Sequence, residues 1–203
     1  MITIINSGIG NYGAIENMLR KIGVETKLAS SIEDIQSADK LLLPGVGSFD
    51  EGMGRLAQYG LIEHLRRKIL EHQTPVLGIC LGMQLLGDGS AEGSLPGLGF
   101  LRAYSHHFDA SKIGRKVPHM GWNTVKVHKD GGLFDFPSNE EQRFYFVHSY
   151  RVTCSSQQDV LATSEYGIEF VSAFQHKNIF GVQFHPEKSH RFGMSLLRRF
   201  AEV

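Results

Sequence analysis

Short apolar runs alternate with stretches of helical periodicity through the first half of the chain. The apolar runs have the length and composition of buried strands and lie at residues 2–5, 24–29, 40–43 and 75–79. The third run is expected to stop at Pro44-Gly45. Apolar side chains recur at helical spacing in residues 15–22, 61–69 and 81–86. This alternation predicts a mostly parallel sheet with helices on both of its faces.

The second half has a different pattern, in which strand-like runs follow one another without long helices between them. Such runs occupy residues 124–128 and 144–152, and residues 171–174 and 179–184 predict a hairpin. A last helix carries Phe192, Leu196 and Phe200 on one face. We find no internal repeat, low-complexity segment or linker. The pattern predicts one α/β domain over residues 1–203, with antiparallel strands added to the parallel sheet.

Composition narrows the classes of function. A chain of 203 residues with 41% hydrophobic residues is long enough for one sizeable core. The formal net charge is zero, which gives no electrostatic case for nucleic acid. No apolar stretch approaches the roughly 20 residues that cross a bilayer, and the N-terminus lacks the pattern of a signal peptide. Two cysteines are too few for a disulfide scaffold, which favours a reduced, cytoplasmic setting.

The stretch Gly78-Ile79-Cys80-Leu81-Gly82 joins a predicted buried strand to a predicted helix. It has the form of a nucleophile elbow in which cysteine replaces serine. Glycines are needed there because larger residues would collide in the sharp turn, and the helix start aims free N–H groups at the sulfur. The alternative is a buried cysteine that only fills the core. The flanking glycines favour a nucleophile at Cys80, whereas Cys154 has no such setting.

A thiol nucleophile needs a base, and the base needs a group that orients it. Among ten histidines, His185 is distinguished by the run GVQFHPE, in which it directly follows an apolar strand. Pro186 keeps the chain extended at His185 and then turns it, so Glu187 can reach the distal ring nitrogen. The alternative is a solvent-exposed histidine at a strand end, with Glu187 opening the last helix. Together with Cys80, the pattern predicts a Cys80–His185–Glu187 triad.

These motifs resemble those of the class I (triad) glutamine amidotransferase family. The resemblance covers essentially the whole chain and rests on GICLGMQ at residues 78–84 and GVQFHPE at residues 181–187. Within the family, the chain is most similar to the glutaminase subunits of imidazole glycerol phosphate synthases. The features behind that narrower resemblance are PGVG at residues 44–47, PHMGWN at residues 118–123, FYFVHSY at residues 144–150, and Lys188 after the HPE run.

The resemblance implies hydrolysis of glutamine to glutamate and ammonia, with no metal and no cofactor. Cys80 would attack the side-chain amide, and His185, oriented by Glu187, would protonate the departing ammonia. The Leu81 amide and a backbone N–H of the Gly45-Val46-Gly47 loop would stabilise the oxyanion. The predicted contacts with the substrate are Gln84, the Gly47 backbone, and the backbone near His148 and Ser149. The alternative for Gln84 is a solvated helix residue.

Free ammonia would be lost to water, so the resemblance also implies a synthase (cyclase) subunit as heterodimer partner. The only tryptophan, Trp122, is placed by the sequence in a polar loop, where an aromatic anchor favours an interface over core packing. Lys188 is expected to make a charged contact on the same surface. The predicted interface residues are His119, Trp122, Asn123 and Lys188.

Gly8, Gly10 and Gly13 follow the first strand with the G-x-G-x-x-G spacing of dinucleotide-binding folds. A tight strand-to-helix turn needs glycines whether or not a phosphate lies above it. The elbow and tail motifs also occupy the part of the chain where a second nucleotide-binding half would be required. We therefore expect no cofactor at this motif, and a nucleotide-binding module is kept as an alternative.

Two further alternatives stay open. A stand-alone cysteine hydrolase acting on γ-glutamyl peptides would use the same triad without an obligate partner. A paralogous glutaminase would supply ammonia to a sugar-amidating system, an alternative raised by the less familiar run FDASKIGR at residues 108–115. Glutaminase activity that depends on a second protein separates the hydrolase from the amidotransferase interpretation.

Overall fold

A computed structural model describes residues 1–129, 132–134 and 141–203 of the chain. The strands are β1 (Ile2–Ile4), β2 (Thr26–Leu28), β3 (Leu41–Gly45), β4 (Val76–Cys80), β5 (Gly89–Ser90), β6 (Ala103–His107), β7 (His119–Val127), β8 (Gln142–His148), β9 (Tyr150–Cys154), β10 (Val160–Glu165), β11 (Glu169–His176) and β12 (Ile179–Val182). The helices are α1 (Tyr12–Lys21), α2 (Ile32–Gln36), α3 (Phe49–Gln58), α4 (Leu61–Arg66, continued by a π-helical turn over Arg67–Glu71), α5 (Leu81–Leu85), α6 (Ala110–Ile113) and α7 (His190–Glu202). Short 3₁₀ turns cover Gln157–Asp159 and Pro186–Lys188.

The parallel part of the sheet has the spatial order β2-β1-β3-β4-β12. Gly45 at the end of β3 lies opposite Cys80 at the end of β4, and Val182 at the end of β12 lies opposite Ile79. The carboxyl ends of three neighbouring strands therefore meet at one edge. Open α/β sheets bind their ligands at such edges.

The antiparallel part continues the sheet from β12 through β11, β10, β7 and β8. β9 pairs with β11 and with β6, so a branch leaves the main sheet there. The predicted hairpin is β11–β12, in which His176 pairs with Ile179. The predicted α/β fold, a mostly parallel central sheet with antiparallel additions, is confirmed.

Apolar side chains cover both faces of the parallel strands. Leu42 belongs to the core layer that includes α1 and α7, while Leu41 and Leu43 belong to the layer that includes α3 and α4. The residues predicted to share one face of the last helix, Phe192, Leu196 and Phe200, are all buried in the first layer. Burial on both faces explains why these strands are continuous apolar runs in the sequence.

The structure corrects one strand boundary, since β3 continues through Pro44 to Gly45 although the sequence predicts a stop there. The backbone N–H of Leu41 points toward β4. Because successive residues of a strand turn their N–H groups to opposite sides, the backbone nitrogen of Pro44 points toward β1 instead. β1 pairs with β3 only as far as Leu42, and the N–H that proline lacks would therefore have no ladder partner. Proline is tolerated here because it occupies a locally unpaired edge.

Other elements also differ from the sequence-based prediction. The run 144–152 is divided at Ser149 into β8 and β9. Helices α2 and α3 are not predicted by the apolar pattern, and in α3 the glycines Gly52 and Gly54 weaken the helical signal. Within the described ranges, no helix has both the length and the apolarity needed to span a membrane.

Candidate active site

Cys80 lies between β4 and α5, at the sheet edge where the ends of β3, β4 and β12 meet. Its backbone has φ 54° and ψ −109°, a conformation that a residue with a side chain rarely adopts. Strain of this kind persists where the surrounding structure imposes it, often at active sites. Cys80 precedes the first residue of α5, so the Leu81 N–H has no acceptor within the helix. The backbone at Cys80 thus has the shape of a nucleophile elbow.

Packing around this turn requires glycine on both sides of Cys80. A Cβ atom on Gly82 would lie 1.8 Å from the carbonyl oxygen of Leu43, and one on Gly78 would lie 2.6 Å from the Gly82 oxygen. Both contacts are with backbone atoms, so no change of rotamer could relieve them. The start of α5 is therefore held directly against β3, with its free N–H groups beside the cysteine.

His185 and Glu187 form a buried pair after the end of β12. Nδ1 of His185 is 2.8 Å from Oε1 of Glu187, and the two side chains are 3% and 2% exposed. The chain at His185 is fixed on both sides, because its N–H donates to the Tyr145 carbonyl at 2.9 Å and its carbonyl accepts from the Ser189 hydroxyl at 2.6 Å. The carboxylate therefore binds one ring nitrogen and leaves Nε2 for other partners.

The charge environment suits His185 to proton transfer. Burial by itself would lower the pKa of His185, but the interactions with Cys80 and Glu187 outweigh it and raise this pKa above its ordinary value. Nε2 is buried and has no hydrogen-bond partner among the described residues. Catalytic hydrogen bonds are often long before substrate binds. The arrangement can hold an imidazolium next to the sulfur and release its proton to a leaving group.

A cavity of about 330 Å³ opens at the sulfur, a size that suits a small molecule. Most of the predicted oxyanion and substrate residues line it, namely Val46, Gly47, Leu81, Gln84, His148 and Ser149. Gly45 lies opposite Cys80 in the sheet and begins the loop that forms one rim. The fold thus brings together residues that are up to about a hundred positions apart in the sequence.

The rim loop lies between β3 and α3 and is exposed at Val46 and Gly47. Gly47 has φ 100°, in the region that glycine adopts freely and other residues do not. The far end of the loop is held by Glu92, whose Oε2 accepts the N–H of Phe49 at 2.8 Å. The loop therefore has fixed ends and a middle in which a peptide plane is able to rotate.

Two polar residues are absent from the sequence-based prediction, one buried beside Cys80 and one in the cavity lining. Gln183 is fully buried, and its Nε2 lies 3.8 Å from Sγ of Cys80. The available signal is a polar residue inside the apolar run that leads to His185. Glu92 lines the cavity from a loop that has no comparable pattern. The sequence analysis therefore did not identify this carboxylate as part of the cavity.

A pair of buried histidines lies on β7 and β8, and one of them, His148, lines the cavity. Nδ1 of His119 is 2.9 Å from Nε2 of His148, and Nδ1 of His148 is 2.7 Å from the Tyr150 carbonyl oxygen. Burial lowers the pKa of His119 to about 4 and that of His148 to about 3, so both rings are neutral near pH 7. His119 is only 3% exposed and its ring stacks on Phe146 and Tyr166, so its side chain does not belong to the exposed surface of β7.

Trp122 lies within β7, which corrects its predicted place in a loop. Its side chain is nevertheless 41% exposed, and Met120 on the same face of the strand is 61% exposed. The indole stacks on His190 with ring centroids 5.6 Å apart and meets Tyr145 edge-on at 6.2 Å. An exposed aromatic surface therefore lies on the outer face of β7 and β8.

The other two predicted interface residues differ in exposure. Lys188 is exposed, with Nζ 5.7 Å from the centre of the Tyr145 ring, and it lines the cavity as well. Asn123 is half-buried, and its Nδ2 donates to the Glu165 carbonyl at 2.8 Å. We define the docking patch as the exposed residues Met120, Trp122, Lys188 and His190 together with the half-buried Tyr145 that they surround.

Cys154 differs from Cys80 in the properties that govern reactivity. It ends β9 opposite Ala103 of β6 and does not line the cavity at Cys80. Burial raises the pKa of the Cys154 thiol to about 12. A thiol held protonated is a poor nucleophile near neutral pH.

The glycine fingerprint lies in the connection between β1 and α1. Gly8 has φ 75°, and Gly13 is inside α1. The Tyr12 ring fills the space over Gly10, where a Cβ atom would lie 2.8 Å from it. Turn geometry and this contact account for Gly8 and Gly10 without a phosphate, whereas the space around Gly13 would accept a larger side chain. Across the described part of the chain, no three His, Cys, Asp or Glu side chains come together as a metal site.

A strained cysteine at a strand-to-helix turn, together with a buried histidine–carboxylate pair on an α/β sheet, is the arrangement that cysteine-triad enzymes use. The chain belongs to the class-I glutamine amidotransferase family, which matches residues 3–203.

Similarity to individual proteins extends over the full chain. The chain is 52% identical over 200 residues to imidazole glycerol phosphate synthase subunit HisH 2 of Methanococcus maripaludis, with 98% of each chain covered. It is 45% identical over 203 residues to the HisH 2 subunit of Pseudomonas aeruginosa, with 100% of each chain covered. The fold is similar to that of a glutamine amidotransferase crystal structure, with a TM-score of 0.77 and 20% identity over 100% of this chain and 98% of the other. It is also similar to PurLQS from Thermotoga maritima, with a TM-score of 0.76 and 17% identity over 99% and 97% of the two chains.

Proposed function

We propose that this chain is the glutaminase subunit of an imidazole glycerol phosphate synthase, which hydrolyses glutamine and passes the ammonia to a cyclase subunit. The observation that carries the proposal is the convergence of a strained Cys80 and a buried His185–Glu187 pair on one cavity. Full-length similarity to two HisH subunits supports the choice of synthase.

The chemistry follows from the three side chains. The Cys80 sulfur attacks the side-chain amide carbon of glutamine, and the proton held by His185 goes to the nitrogen that leaves as ammonia. A water molecule then attacks the thioester, with His185 taking its proton, and glutamate leaves as the sulfur is released. Glu187 keeps the ring in one orientation and stabilises its charged form at 2.8 Å. The net reaction consumes one water and yields glutamate and ammonia.

The negative oxygen of the tetrahedral intermediate needs donors that are already in place. The Leu81 N–H at the start of α5 is one donor, since it has no acceptor within the helix. The second is supplied by the Gly45-Val46-Gly47 loop, which begins opposite Cys80. Because Gly47 tolerates either orientation of its peptide, the loop is able to rest with that N–H turned away from the site.

The far end of the cavity supplies the groups that recognise a free amino acid. Gln84 and the backbone at His148 and Ser149 line it, as the sequence predicts, and Glu92 adds a carboxylate. A carboxylate suits the α-ammonium group of glutamine. We assign substrate selection to these four residues.

The docking patch is assigned to the cyclase subunit. Exposed aromatic and methionine side chains such as Trp122 and Met120 are the usual anchors of protein interfaces. Lys188 belongs both to the patch and to the cavity lining, so a partner that contacts it also contacts the rim of the site. Contact with the partner is thereby coupled to the oxyanion loop.

The test is a glutaminase assay on the purified chain, alone and with a cyclase subunit that carries its own ligand. A missing oxyanion donor costs a factor of about a hundred to a thousand in rate, so we expect stimulation of about that size. Cys80→Ala should abolish hydrolysis and leave synthesis from added ammonia intact, while Cys154→Ala serves as the matched control and should equal the parent chain. Full activity without any partner would favour the γ-glutamyl hydrolase.

A second acceptor is tested in the same assay. Both relatives named above are numbered as a second HisH subunit, which favours including a partner other than the histidine-pathway cyclase. A sugar-amidating partner that stimulates the chain, where the cyclase does not, would assign the ammonia to sugar amidation. The glutaminase chemistry would be the same in either case.

A further inference from the structure

Gln183 occupies a position between the nucleophile and the substrate-recognising residue. It follows β12 at the level of Cys80, and its side chain is fully buried. Its Oε1 lies 3.1 Å from Nε2 of Gln84, and its Nε2 lies 3.8 Å from Sγ of Cys80. The backbone N–H of Gln183 donates to the Ser172 carbonyl at 2.9 Å, which fixes the residue within the sheet. One buried amide therefore touches two parts of the site.

The direction of these hydrogen bonds is set by a backbone carbonyl. The carbonyl oxygen of Tyr150 can only accept, so Gln84 must turn its NH₂ group toward it, at 3.4 Å. The same NH₂ group then faces Gln183, which must present its own oxygen in return. The NH₂ group of Gln183 is left for the Cys80 sulfur. No other assignment of the two amides satisfies all three contacts.

The Tyr150 carbonyl oxygen also accepts a hydrogen bond from the neutral histidine pair. His148 donates its Nδ1 proton to the Tyr150 oxygen at 2.7 Å, so its Nε2 must accept from His119 at 2.9 Å. His119 Nε2 in turn accepts from Asn123 at 3.2 Å. All four ring nitrogens of His119 and His148 have a hydrogen-bond partner, so this part of the network has one arrangement, which fixes the position of the Tyr150 oxygen.

One acceptor remains without a partner in this network. The NH₂ group of Gln84 is used twice, and its Oε1 is left for the cavity that Gln84 lines. Glu92 lines the same cavity, so the lining contributes an amide oxygen and a carboxylate as acceptors. Such a set matches an ammonium group and not a carboxylate.

We propose that Gln183 is a positioning residue of the glutaminase site, which turns the Gln84 oxygen toward the substrate ammonium group and donates a hydrogen bond to the Cys80 sulfur. The inference rests on the proposed glutaminase function. It adds a residue with two separable effects, one on substrate binding through Gln84 and one on the ionised sulfur directly.

The first test measures the sulfur without any glutamine. In a Cys154→Ala background, the rate of Cys80 alkylation by iodoacetamide is followed from pH 5.5 to 9. Gln183→Met has nearly the same volume but no donor, and it should slow alkylation about fivefold at pH 7 and move the profile to higher pH. A hydrogen bond to the charged form favours that form, and its loss has this sign. Gln175→Met, at the opposite end of the β11–β12 hairpin, is the matched control and should leave the profile unchanged.

The second test measures substrate binding in the stimulated complex. Gln183→Met should raise KM for glutamine about tenfold, because Gln84 loses its fixed orientation. In a Gln84→Met background the same change should leave KM nearly unaltered, while its effect on alkylation persists. This cycle separates action through Gln84 from general loosening of the fold.

A third variant covers the case in which the apolar change prevents folding. Gln183→Glu keeps an acceptor for Gln84 but places a carboxylate oxygen at the sulfur. It should keep KM within about twofold and slow alkylation at pH 8 by tenfold or more. Folded variants with unchanged alkylation profile and unchanged KM would overturn the assignment of Gln183. Because alkylation needs neither glutamine nor a partner, it decides the role at the sulfur even if the chain hydrolyses another substrate.

Discussion

Two pairs of buried groups each contribute one histidine to the cavity lining, and the pKa values of these two histidines are shifted in opposite directions. His185 pairs with the Glu187 carboxylate, and the pKa of His185 is raised. His148 pairs with His119 and the Tyr150 carbonyl, and the pKa of His148 is lowered to about 3. All three imidazoles are nearly inaccessible to water. Burial alone therefore does not decide whether a histidine carries a charge.

The difference lies in what each ring is able to bind. Glu187 supplies a negative charge that compensates the lost hydration of an imidazolium, so His185 remains a proton carrier. His119 and His148 find only a neutral acceptor and each other, so each ring stays neutral and has one donor and one acceptor. In the proposed mechanism the charged pair carries the proton, and the neutral pair fixes the direction of hydrogen bonds. Four experiments break or sharpen this contrast.

Removing the charged ring should have the largest effect. His185→Ala eliminates the proton carrier, so we expect kcat in the stimulated complex to fall about a thousandfold or more, close to the loss in Cys80→Ala. Synthesis from added ammonia should persist in both variants, because ammonia enters after the thiol chemistry. A His185→Ala chain that kept a tenth of the parent rate would remove His185 from the mechanism.

Removing only the charge of the partner should have a smaller effect. Glu187→Gln keeps the shape of the carboxylate but no longer stabilises the imidazolium, so we expect kcat to fall about a hundredfold. The variant should also shift the pH profile of kcat to lower pH, because the pKa of His185 falls when its anionic partner is lost. A loss as severe as that of Cys80→Ala would instead assign Glu187 a direct part in the chemistry.

The neutral pair should appear in the pH dependence of stability. Because the pKa values of His119 and His148 are about 4 and about 3 when folded, the unfolded chain takes up their protons first, below pH 6.5. Acidification from pH 7 to 5.5 should then lower their contribution to the free energy of unfolding by about 2.5 kcal/mol in total. Urea unfolding at pH 7 and at pH 5.5 measures this change in the free energy of unfolding.

The charged pair has the opposite sign in the same experiment. The raised pKa of His185 gives a stabilisation that is full below the ordinary histidine pKa and is lost as the pH rises through the folded value. His148→Gln, which keeps a donor for the Tyr150 oxygen, should reduce the acid-induced loss by about half. His185→Gln should increase that loss. Equal behaviour of the two variants would contradict the contrast.

We expect the smallest effect from substitutions in the docking patch, on the outer face of β7. Trp122→Ala removes the centre of the docking patch, and we expect about tenfold weaker binding to the cyclase subunit. Lys188→Ala should weaken binding or stimulation to a similar extent. Alkylation of Cys80 in the isolated Trp122→Ala chain should not change, since Trp122 does not line the cavity. Titration of the partner in the glutaminase assay measures both the binding of the partner and the stimulation that it gives.

Local sequence signals were sufficient to predict the parallel strands and to select Cys80, His185 and Glu187 as candidate site residues. Strands β1, β3 and β4 are buried on both faces, so each is a continuous apolar run in the sequence. Such a run is recognisable without knowing which other segments pack against it. The elbow is visible because Gly78 and Gly82 are required by contacts within a few residues of Cys80 and with β3. The triad acid lies two residues from its base, so both lie in one short run.

The tertiary structure alone decided the polar network and the surface. Trp122 and His119 are three residues apart on one strand, and the pleat of β7 and its position in the sheet expose the first and bury the second. Gln183, Gln84 and the Tyr150 carbonyl come from three separate segments, and their hydrogen bonds exist only after those segments pack together. A sequence states which residues are polar or apolar at short range, whereas exposure and hydrogen-bond partners depend on contacts between residues far apart in the chain.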